Sequence, residues 1–339
     1  MLQVKSLSSN QDDKFIDDFC NLQATVRQPP YHQANLPASS WKEFLLNRKH
    51  FSCEFWLLYD NQVPVARIGA NLSQADKQLA YFGFFETDIA YQKQLSPLFD
   101  QLHLWMRTNH VVKAVGPINY NTWFNYRFKT SSTDDHHHFP WEPINPPEYP
   151  AIFTEQGYQW GQKYHTVASG NLPAMVQKSE AAWNRAHTLG YTFRPFNLER
   201  FIEDEVELLY RISVEGFKDN YLFSPITLEQ FRQLYVGAAK QLDLSYSLFV
   251  TAPDGNEVGF FLVFAQGQYI VMKSTTVLAN HRGKGLSNAA LHQAFTKAVT
   301  ESKKGYISAL MIAGAQSESY SQHGDFLWSH DYHLLEREL

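Results

Sequence analysis

The sequence predicts an α/β protein of the α+β type, built from two domains with similar folds. The chain has 339 residues, which is too long for most single hydrophobic cores. Its hydrophobic fraction of 44% and aromatic fraction of 15% are enough to fill two cores. Helical and strand patterns also follow the same order in both halves, although the halves share negligible sequence identity.

The boundary between the domains is predicted within residues 170–195. The segment Gly170–Pro173 interrupts the pattern, and a helix over residues 179–189 is expected to link the halves. We therefore expect domains of residues 1–175 and 176–339.

The first half begins with two predicted helices, over residues 13–26 and 41–48. Ser39 or Ser40 is a suitable N-cap for the second helix. The next two strands are joined by Asp60-Asn61-Gln62, which is a hairpin signal. The predicted strands and the helix among them cover residues 55–59, 63–71, 80–85, 96–108 (helix), 111–115 and 158–169.

The second half repeats this order, starting with helices over residues 199–217 and 227–241. Thr227 to Gln230 resembles a capping box. The turn Pro253–Asn256 then joins the first two strands of this half. The remaining predicted elements cover residues 245–251, 258–264, 269–277, 287–301 (helix), 306–312 and 332–337.

The third strand of the second half runs into residues 280–288, "NHRGKGLSN", which we call the glycine loop. Glycine lets the backbone approach phosphate oxygens and adopt positive φ. The first N–H groups of the helix that follows, together with its dipole, favour an anion, and Arg282 and Lys284 add positive charge. The pattern is neither a Walker loop nor G-x-G-x-x-G, so the alternative interpretation is an ordinary glycine-containing turn.

In its context, the glycine loop resembles the signature of the GNAT family, the Gcn5-related acyl-CoA N-acyltransferases. That signature is Arg/Gln-x-x-Gly-x-Gly/Ala, and Arg282 to Ser287 match it with Ser in the last place. The resemblance covers about residues 192–339. It implies two GNAT-like domains, each with a mixed, mainly antiparallel sheet flanked by helices, and acetyl-CoA or another acyl-CoA as the cofactor.

The resemblance also implies which residues bind this cofactor. Backbone amides from Gly283 to Asn288 would bind the pyrophosphate, and Val277 would pair with the pantetheine arm. The full set of implied cofactor-binding residues is Thr276, Val277, Leu278, Arg282, Gly283, Lys284, Gly285, Leu286, Ser287 and Asn288.

Tyr320 is the catalytic residue that the resemblance implies, as the general acid that protonates the departing thiolate. It stands four residues before Gly324 and is similar to the family's Tyr-x-x-x-Gly-Phe, with one extra residue before Phe326. The usual upstream Asn is missing, and Gln316 is the nearest amide. The alternative is a packed aromatic side chain.

An attacking amine also needs a base to remove its proton. Glu215, Asp219 and His323 are candidates, but each is better explained as a solvated residue of a helix end or loop. The sequence therefore assigns no base.

The first half lacks the glycine loop at the corresponding place. Residues 86–95 contain no glycine, and Glu86 and Asp88 would repel a phosphate, so this half is predicted to be a degenerate GNAT-like domain. Its aromatic and amide-rich segment contains Trp123, Tyr126 and Arg127, which we predict to bind the acceptor. The alternative is a structural loop.

No metal site is predicted. Asp134–His138 contains three adjacent histidines, which cannot all face one ion from an extended segment. Cys20 and Cys53 lack metal-ligand spacing, and both are expected to be core thiols.

Composition argues against several kinds of partner. A net charge of −5 disfavours nucleic acid as a partner. No run approaches about 18 apolar residues and the first residues lack an apolar h-region, so we expect a soluble, cytoplasmic protein without a membrane partner. The cysteine count fits a reducing compartment.

These patterns predict an acyl-CoA-dependent N-acyltransferase, with acetyl-CoA as the expected donor. Transfer would be direct in a ternary complex, because no cysteine stands near the glycine loop as an acyl carrier. The acceptor would be a small-molecule or peptide amine, and the sequence leaves its identity and the oligomeric state open. The alternatives are an aminoacyl-tRNA-dependent, Fem-like transferase and a non-catalytic acyl-CoA-binding protein.

Overall fold

The structure is a computed structural model that describes residues 1–9, 13–133, 138–315, 318 and 324–339. Its α-helices are α1 (Asp13–Val26), α2 (Ala38–Leu45), α3 (Ser96–Thr108), α4 (Tyr149–Glu155), α5 (Leu172–Thr188), α6 (Val206–Phe217), α7 (Leu228–Gln241) and α8 (Leu286–Thr300). Its strands are β1 (Leu2–Ser6), β2 (Cys53–Asp60), β3 (Val63–Leu72), β4 (Leu79–Thr87), β5 (Lys113–Gly116), β6 (Phe128–Ser132), β7 (Gln159–Ser169), β8 (Thr192–Pro195), β9 (Leu248–Thr251), β10 (Glu257–Gln266), β11 (Tyr269–Val277), β12 (Gly305–Ile312) and β13 (Phe326–Glu338).

The chain divides into two compact units. The first unit contains Met1–Ser131, Trp141–Lys163 and Asp331–Leu339, and the second contains Ser132–Pro140 and Tyr164–His330. The division falls within β7 and within β13. The C-terminal part of β7 therefore belongs to the second unit, and the C-terminal part of β13 belongs to the first. The functional domains predicted for residues 1–175 and 176–339 stay a prediction.

The sheet of the first unit has the strand order β1-β2-β3-β4-β5-β13. Only β4 and β5 are parallel neighbours in this order, and their pairing ends where Tyr81 lies opposite Val115. Alternate residues of β2 point to opposite faces, as in any strand. Phe55 packs in the core under α1 and α2, whereas Trp56 packs in the core that α3 and α4 cover.

The sheet of the second unit has the order β8-β9-β10-β11-β12-β7. Here β11 and β12 are the parallel neighbours, and the other pairs are antiparallel. Helices α5 and α8 cover one face, where Phe295 packs against Tyr306. Helix α6 covers the other face, where Phe217 meets Phe260 edge to face. Both sheets are thus mixed, mainly antiparallel and flanked by helices, which confirms the predicted α/β (α+β) class.

Several local predictions are confirmed in detail. Asn61 and Gln62 both have positive φ, as a two-residue hairpin loop requires. The Thr227 N–H donates to Gln230 Oε1 (2.9 Å) and the Gln230 N–H to Thr227 Oγ1 (3.2 Å), so the capping box is formed.

Other local predictions are wrong. Helix α2 begins earlier than expected, and its N-cap is Pro37 rather than Ser39 or Ser40. Helix α5 starts at Leu172, because Asn171 caps it from the left-handed region and Pro173 fits its first turn. Cys20 is buried as expected, but Cys53 is only partly buried.

A helix that crosses a membrane needs about 20 residues, most of them apolar. Within the described ranges, no helix meets both requirements.

Candidate functional site

Strands β11 and β12 separate at a defined point. Their parallel pairing runs from Tyr269 opposite Gly305 to Met272 opposite Ser308 and stops there, although both strands continue. The edge of β11 beyond Met272 is therefore not paired with β12. We call the space between the two strands beyond this point the strand gap.

A β-bulge lies at the start of the strand gap. Leu262 of β10 is opposite Ser274, and the next residue, Val263, is opposite Met272, so Lys273 is the extra residue in β11. Beyond the bulge, the Leu278 N–H donates to the Val258 carbonyl (2.8 Å). Since backbone groups alternate along a strand, those of Val277 point away from β10 and toward the strand gap.

The glycine loop follows β11 and leads directly into α8. Gly283 (φ +76°) and Gly285 (φ +79°) both lie in the left-handed region, which other residues rarely adopt. A Cβ on Gly283 would meet no atom within 4 Å, so its surroundings are open. Gly285 is the N-cap of α8, and no side chain caps the helix there.

The start of α8 suits an anion. The first bond typical of the helix interior is donated by Ala289 to the Gly285 carbonyl (3.1 Å). The N–H groups of Leu286, Ser287 and Asn288 therefore precede the helical ladder, and they lie at the positive end of a 15-residue helix dipole. Backbone N–H groups and φ values at this place fit a diphosphate.

Arg282 holds the loop rather than extending from it. Its Nε donates to the Val277 carbonyl (2.8 Å) and its Nη2 to the Gly216 carbonyl at the end of α6 (3.1 Å). The sequence predicted that Arg282 adds positive charge to the loop. Its two hydrogen bonds show that it also anchors the loop. Because the carbonyl of Val277 accepts from Arg282, the N–H of Val277 is the group left to pair with a ligand arm.

Lys284 is anchored in a similar way. Its Nζ donates to the Tyr191 hydroxyl (2.6 Å), which also lies 2.9 Å from His281 Nδ1. Tyr191 is buried just before β8. One tyrosine thus contacts two side chains of the glycine loop and fixes their positions.

A close approach of α6 to β11 completes the support of the loop. Thr276 is buried, and its Oγ1 donates to the Gly216 carbonyl (3.3 Å). A Cβ on Gly216 would lie 2.5 Å from Thr276 Oγ1, so only glycine fits there. Thr276, Val277 and Leu278 thus form the strand end from which the loop departs, and the loop itself supplies the other implied cofactor-binding residues.

The catalytic residue implied at Tyr320 lies outside the described residues, and so does the candidate base His323. Of the other candidates, Glu215 is exposed at the end of α6 and pairs with Lys218 (2.7 Å). Asp219 lies just beyond that helix. No base is assigned from this geometry.

The predicted acceptor residues belong to the first unit. The Trp123 N–H donates to Asn121 Oδ1 (3.0 Å). Arg127 is buried, and its guanidinium lies 3.8 Å from the centre of the Tyr126 ring. The Arg127 N–H donates to the Pro117 carbonyl (2.8 Å). The three residues thus share one compact loop, and their role in acceptor binding stays a prediction.

In the first unit, the parallel strands β4 and β5 also separate, but other residues of the same unit fill the space between them. Phe84 is the bulge residue of β4, with φ +59°. The Phe84 N–H donates to Asn119 Oδ1 (2.7 Å), and the Ile118 N–H donates to the Phe82 carbonyl (2.7 Å). A Cβ on Gly83 would lie 2.5 Å from Asn119 Oδ1, so the packing here is tight.

Glu86 closes the end of β4 with a buried ion pair. Its carboxylate accepts from Arg27 Nη2 (2.7 Å) and Nε (2.8 Å), from Gln23 Nε2 (2.7 Å) and from the Tyr149 hydroxyl (3.0 Å). Burial opposes the charge of Arg27, but the Glu86 carboxylate outweighs it and raises the pKa of Arg27. The first unit thus has no glycine loop here, and Glu86 instead holds buried side chains together.

The histidine-rich segment is described only at its end. Asp134–His137 lie outside the described residues, and the His138 carbonyl accepts a hydrogen bond from Gln266 Nε2. Among the residues that are described, no three His, Cys, Asp or Glu side chains are grouped to hold a metal ion.

Two supporting residues escaped sequence reasoning: Tyr191 and Gly216. In the sequence, Tyr191 lies 90 residues before its partner His281, and Gly216 lies 66 residues before its partner Arg282. Gly216 stands within a predicted helix, where a glycine is a known sign of close packing. The sequence around Tyr191 carries no comparable signal.

No protein-family model matches the sequence, and no curated protein matches it significantly. Among solved structures, a probable N-acyltransferase from Enterococcus faecalis is similar at 11% identity and a TM-score of 0.62, over 100% of this chain and 72% of that one. A tandem GNAT protein from the clavulanic acid biosynthesis pathway is similar at 10% identity and a TM-score of 0.54, over 100% of this chain and 98% of that one.

A third similar structure is the GCN5-related glucosamine N-acetyltransferase region of a fungal multi-domain GH3 β-N-acetylglucosaminidase, at 12% identity and a TM-score of 0.58. The match covers 99% of this chain but only 38% of the fungal protein. At these identities the similarity concerns the fold. Over its whole length, the chain has a fold similar to that of GCN5-related N-acetyltransferases, one of them a tandem GNAT protein.

Proposed function

We propose that this protein is an acyl-CoA-dependent N-acyltransferase whose second unit binds the cofactor, with acetyl-CoA as the donor. The observation that carries the proposal is the sequence of bulge, unpaired β11 edge, glycine loop and uncapped α8 within one stretch of chain. Each part suits one part of an acyl-CoA molecule. The GNAT fold supports the same assignment.

Within this site, the backbone does most of the binding. The N–H groups from Gly283 to Asn288 would hold the pyrophosphate, and the N–H of Val277 would pair with the pantetheine arm. Arg282 and Lys284 add positive charge while their hydrogen bonds keep the loop in place. Thr276, Leu278, Leu286 and Ser287 shape and support the same surface.

When bound, the cofactor supplies an acyl thioester that an amine can attack. The chain must orient that amine, exclude water and exchange protons with both reaction partners. Tyr320 is our candidate for donating a proton to the departing thiolate. Trp123, Tyr126 and Arg127 are our candidates for acceptor binding.

The acceptor in this proposal is a small-molecule or peptide amine. The net charge of −5 supports neither nucleic acid nor a polyanionic membrane surface as a partner. A cytoplasmic location is proposed because a chain with only two cysteines fits a reducing compartment.

Calorimetry with acetyl-CoA tests the proposal. We expect the wild-type protein to bind, and we expect Gly285→Glu and Arg282→Ala each to abolish detectable binding. Glutamate at position 285 would bring a negative charge next to the pyrophosphate and would strain the backbone, because the φ there is positive. Alanine at position 282 would remove the hydrogen bonds to the Val277 and Gly216 carbonyls. Gly255→Glu is the matched control, because Gly255 also has a positive φ (+85°) in open surroundings but lies in the β9–β10 turn.

Unchanged affinity in both loop variants would refute the assignment of the glycine loop. A gel shift with tRNA, in the absence of acetyl-CoA binding, would favour the aminoacyl-tRNA-dependent alternative. Intact acetyl-CoA binding without transfer to any member of a broad amine panel would favour a non-catalytic acyl-CoA-binding protein.

A further inference from the structure

We infer that Ser308 contacts the reacting end of the cofactor by donating a hydrogen bond from its hydroxyl to the thioester carbonyl oxygen. This inference rests on the proposed function and adds to it a substrate-contacting residue. It depends on where the strand gap closes, on which face Ser308 lies and on the state of its hydroxyl.

The closed end of the strand gap fixes where the arm of the cofactor must stop. A ligand anchored at the glycine loop and paired with Val277 can follow the β11 edge only as far as Met272, because β12 pairs with β11 from that point on. From Val277 to Met272 the strand spans roughly 13–16 Å, allowing for the bulge. This span is comparable to an extended pantetheine arm, so the thioester would reach the closed end.

Ser308 stands at that closed end. It is the last residue of β12 that pairs with β11, and its partner is Met272. Tyr306, two positions earlier on β12, packs on Phe295 of α8 with ring centroids 5.0 Å apart. Because side chains alternate along a strand, Ser308 also faces the α8 side of the sheet.

The α8 side is also the side of the glycine loop, because that loop forms the N-terminus of α8. A ligand held at the loop therefore reaches the closed end on the face where Ser308 lies. Met272 belongs to the core on this same face, which agrees with the parallel pairing of the two residues.

The hydroxyl of Ser308 is enclosed and unsatisfied. The residue is 1% exposed, and within the described part of the chain its Oγ has no hydrogen-bond partner. A buried donor without a partner is costly, and native structures rarely retain one without a reason. A carbonyl oxygen of a bound thioester at the closed end would satisfy it and would be polarised by it.

The test compares the affinities for acetyl-CoA and for free CoA, measured by calorimetry. CoA has the same pyrophosphate and arm but no thioester carbonyl. We expect Ser308→Ala to weaken acetyl-CoA binding about five- to tenfold, the usual effect of one neutral hydrogen bond, and to change CoA binding less than about twofold. Ser308→Cys keeps a similar volume but is a weak donor, so it should behave like Ser308→Ala.

The matched control is Ser213→Ala. Ser213 lies on α6 in the same unit, is fully buried, and likewise has an Oγ without a partner among the described residues. We expect it to leave both affinities unchanged. An acetyl-CoA to CoA affinity ratio that Ser308→Ala does not alter overturns the assignment of Ser308, whereas a wild-type protein that binds neither compound overturns the proposed function as well.

Discussion

The ends of β4 and β11 occupy the same place in two similar sheets, and they differ in what the chain does there. Both strands carry a bulge and both stop pairing with a parallel neighbour. Beyond β11, the glycine loop leads its backbone into the start of α8. At the end of β4, the carboxylate of Glu86 is buried in an ion pair, and Asn119 fills the gap beside the bulge.

This difference concerns how the backbone groups at the end of a split sheet are satisfied. In the first unit, the backbone groups at the gap are satisfied by Ile118 and Asn119, so the polar demand of a split sheet is met internally. Under the proposed function, the corresponding backbone groups of β11 in the second unit would pair with the cofactor. The ligand site would then use hydrogen-bonding groups of the kind that the first unit satisfies with its own residues.

The largest expected effect comes from breaking the buried Arg27–Glu86 ion pair of the first unit. Glu86→Ala leaves Arg27 buried without its carboxylate, and we expect the free energy of unfolding to fall by about 3–5 kcal/mol. Urea denaturation measures this change. Glu155→Ala is the control, because the Glu155–Lys93 pair is largely exposed, and it should cost less than about 1 kcal/mol. Equal losses in both variants would contradict a structural role for Glu86.

A smaller effect is expected from loosening the support of the glycine loop. Tyr191→Phe removes the hydroxyl that contacts Lys284 and His281, and we expect acetyl-CoA affinity to fall three- to tenfold, corresponding to about 1 kcal/mol. Tyr210→Phe removes a comparable hydrogen bond to the Ile226 carbonyl elsewhere in this unit. If the two variants lower the affinity equally, the loop does not depend on Tyr191.

A third effect, of about the same size as the second, is a pH dependence of stability from His103 in the first unit. Burial, with Arg337 and Arg107 nearby, lowers the pKa of His103 to about 4, and its Nε2 lies 3.1 Å from the Tyr158 hydroxyl. The unfolded chain, with a histidine pKa near 6.5, binds the proton more readily. The stabilisation is therefore complete above about pH 6.5 and is lost as the pH falls toward 4.

We expect this loss to be on the order of 1 kcal/mol between pH 7 and pH 5. Denaturation of wild type and His103→Gln at the two pH values measures it. The decline should be smaller in the variant, since glutamine does not titrate. Parallel declines would show that other groups control the acid sensitivity.

The sequence was sufficient to predict features that depend on neighbouring residues. Strand β11 has the bounds expected for residues 269–277, and helix α3 those expected for residues 96–108. The positive φ of Gly283 and Gly285 agrees with the use expected of them. Such features follow from local backbone preferences and hydrophobic period, which a short window of sequence contains.

Features that depend on distant contacts were not predictable. Nothing in the local pattern shows that Arg282 turns inward to the Gly216 carbonyl or that Tyr191 meets Lys284. The short strand β8 was missed because its four residues are too few to show a period. The exchange of strand ends between the units also has no local signature, because pairing partners are chosen in three dimensions.

That exchange of strand ends has a consequence for biosynthesis. Strand β5 of the first unit pairs with Leu335–Glu338, at the far end of the chain. While the ribosome is still translating the second half, β5 has no such neighbour, and a nascent sheet with an open edge is prone to wrong pairing. The first unit can therefore finish folding only after residues 335–338 have emerged, and a fragment ending at residue 175 would lack the strand that completes it.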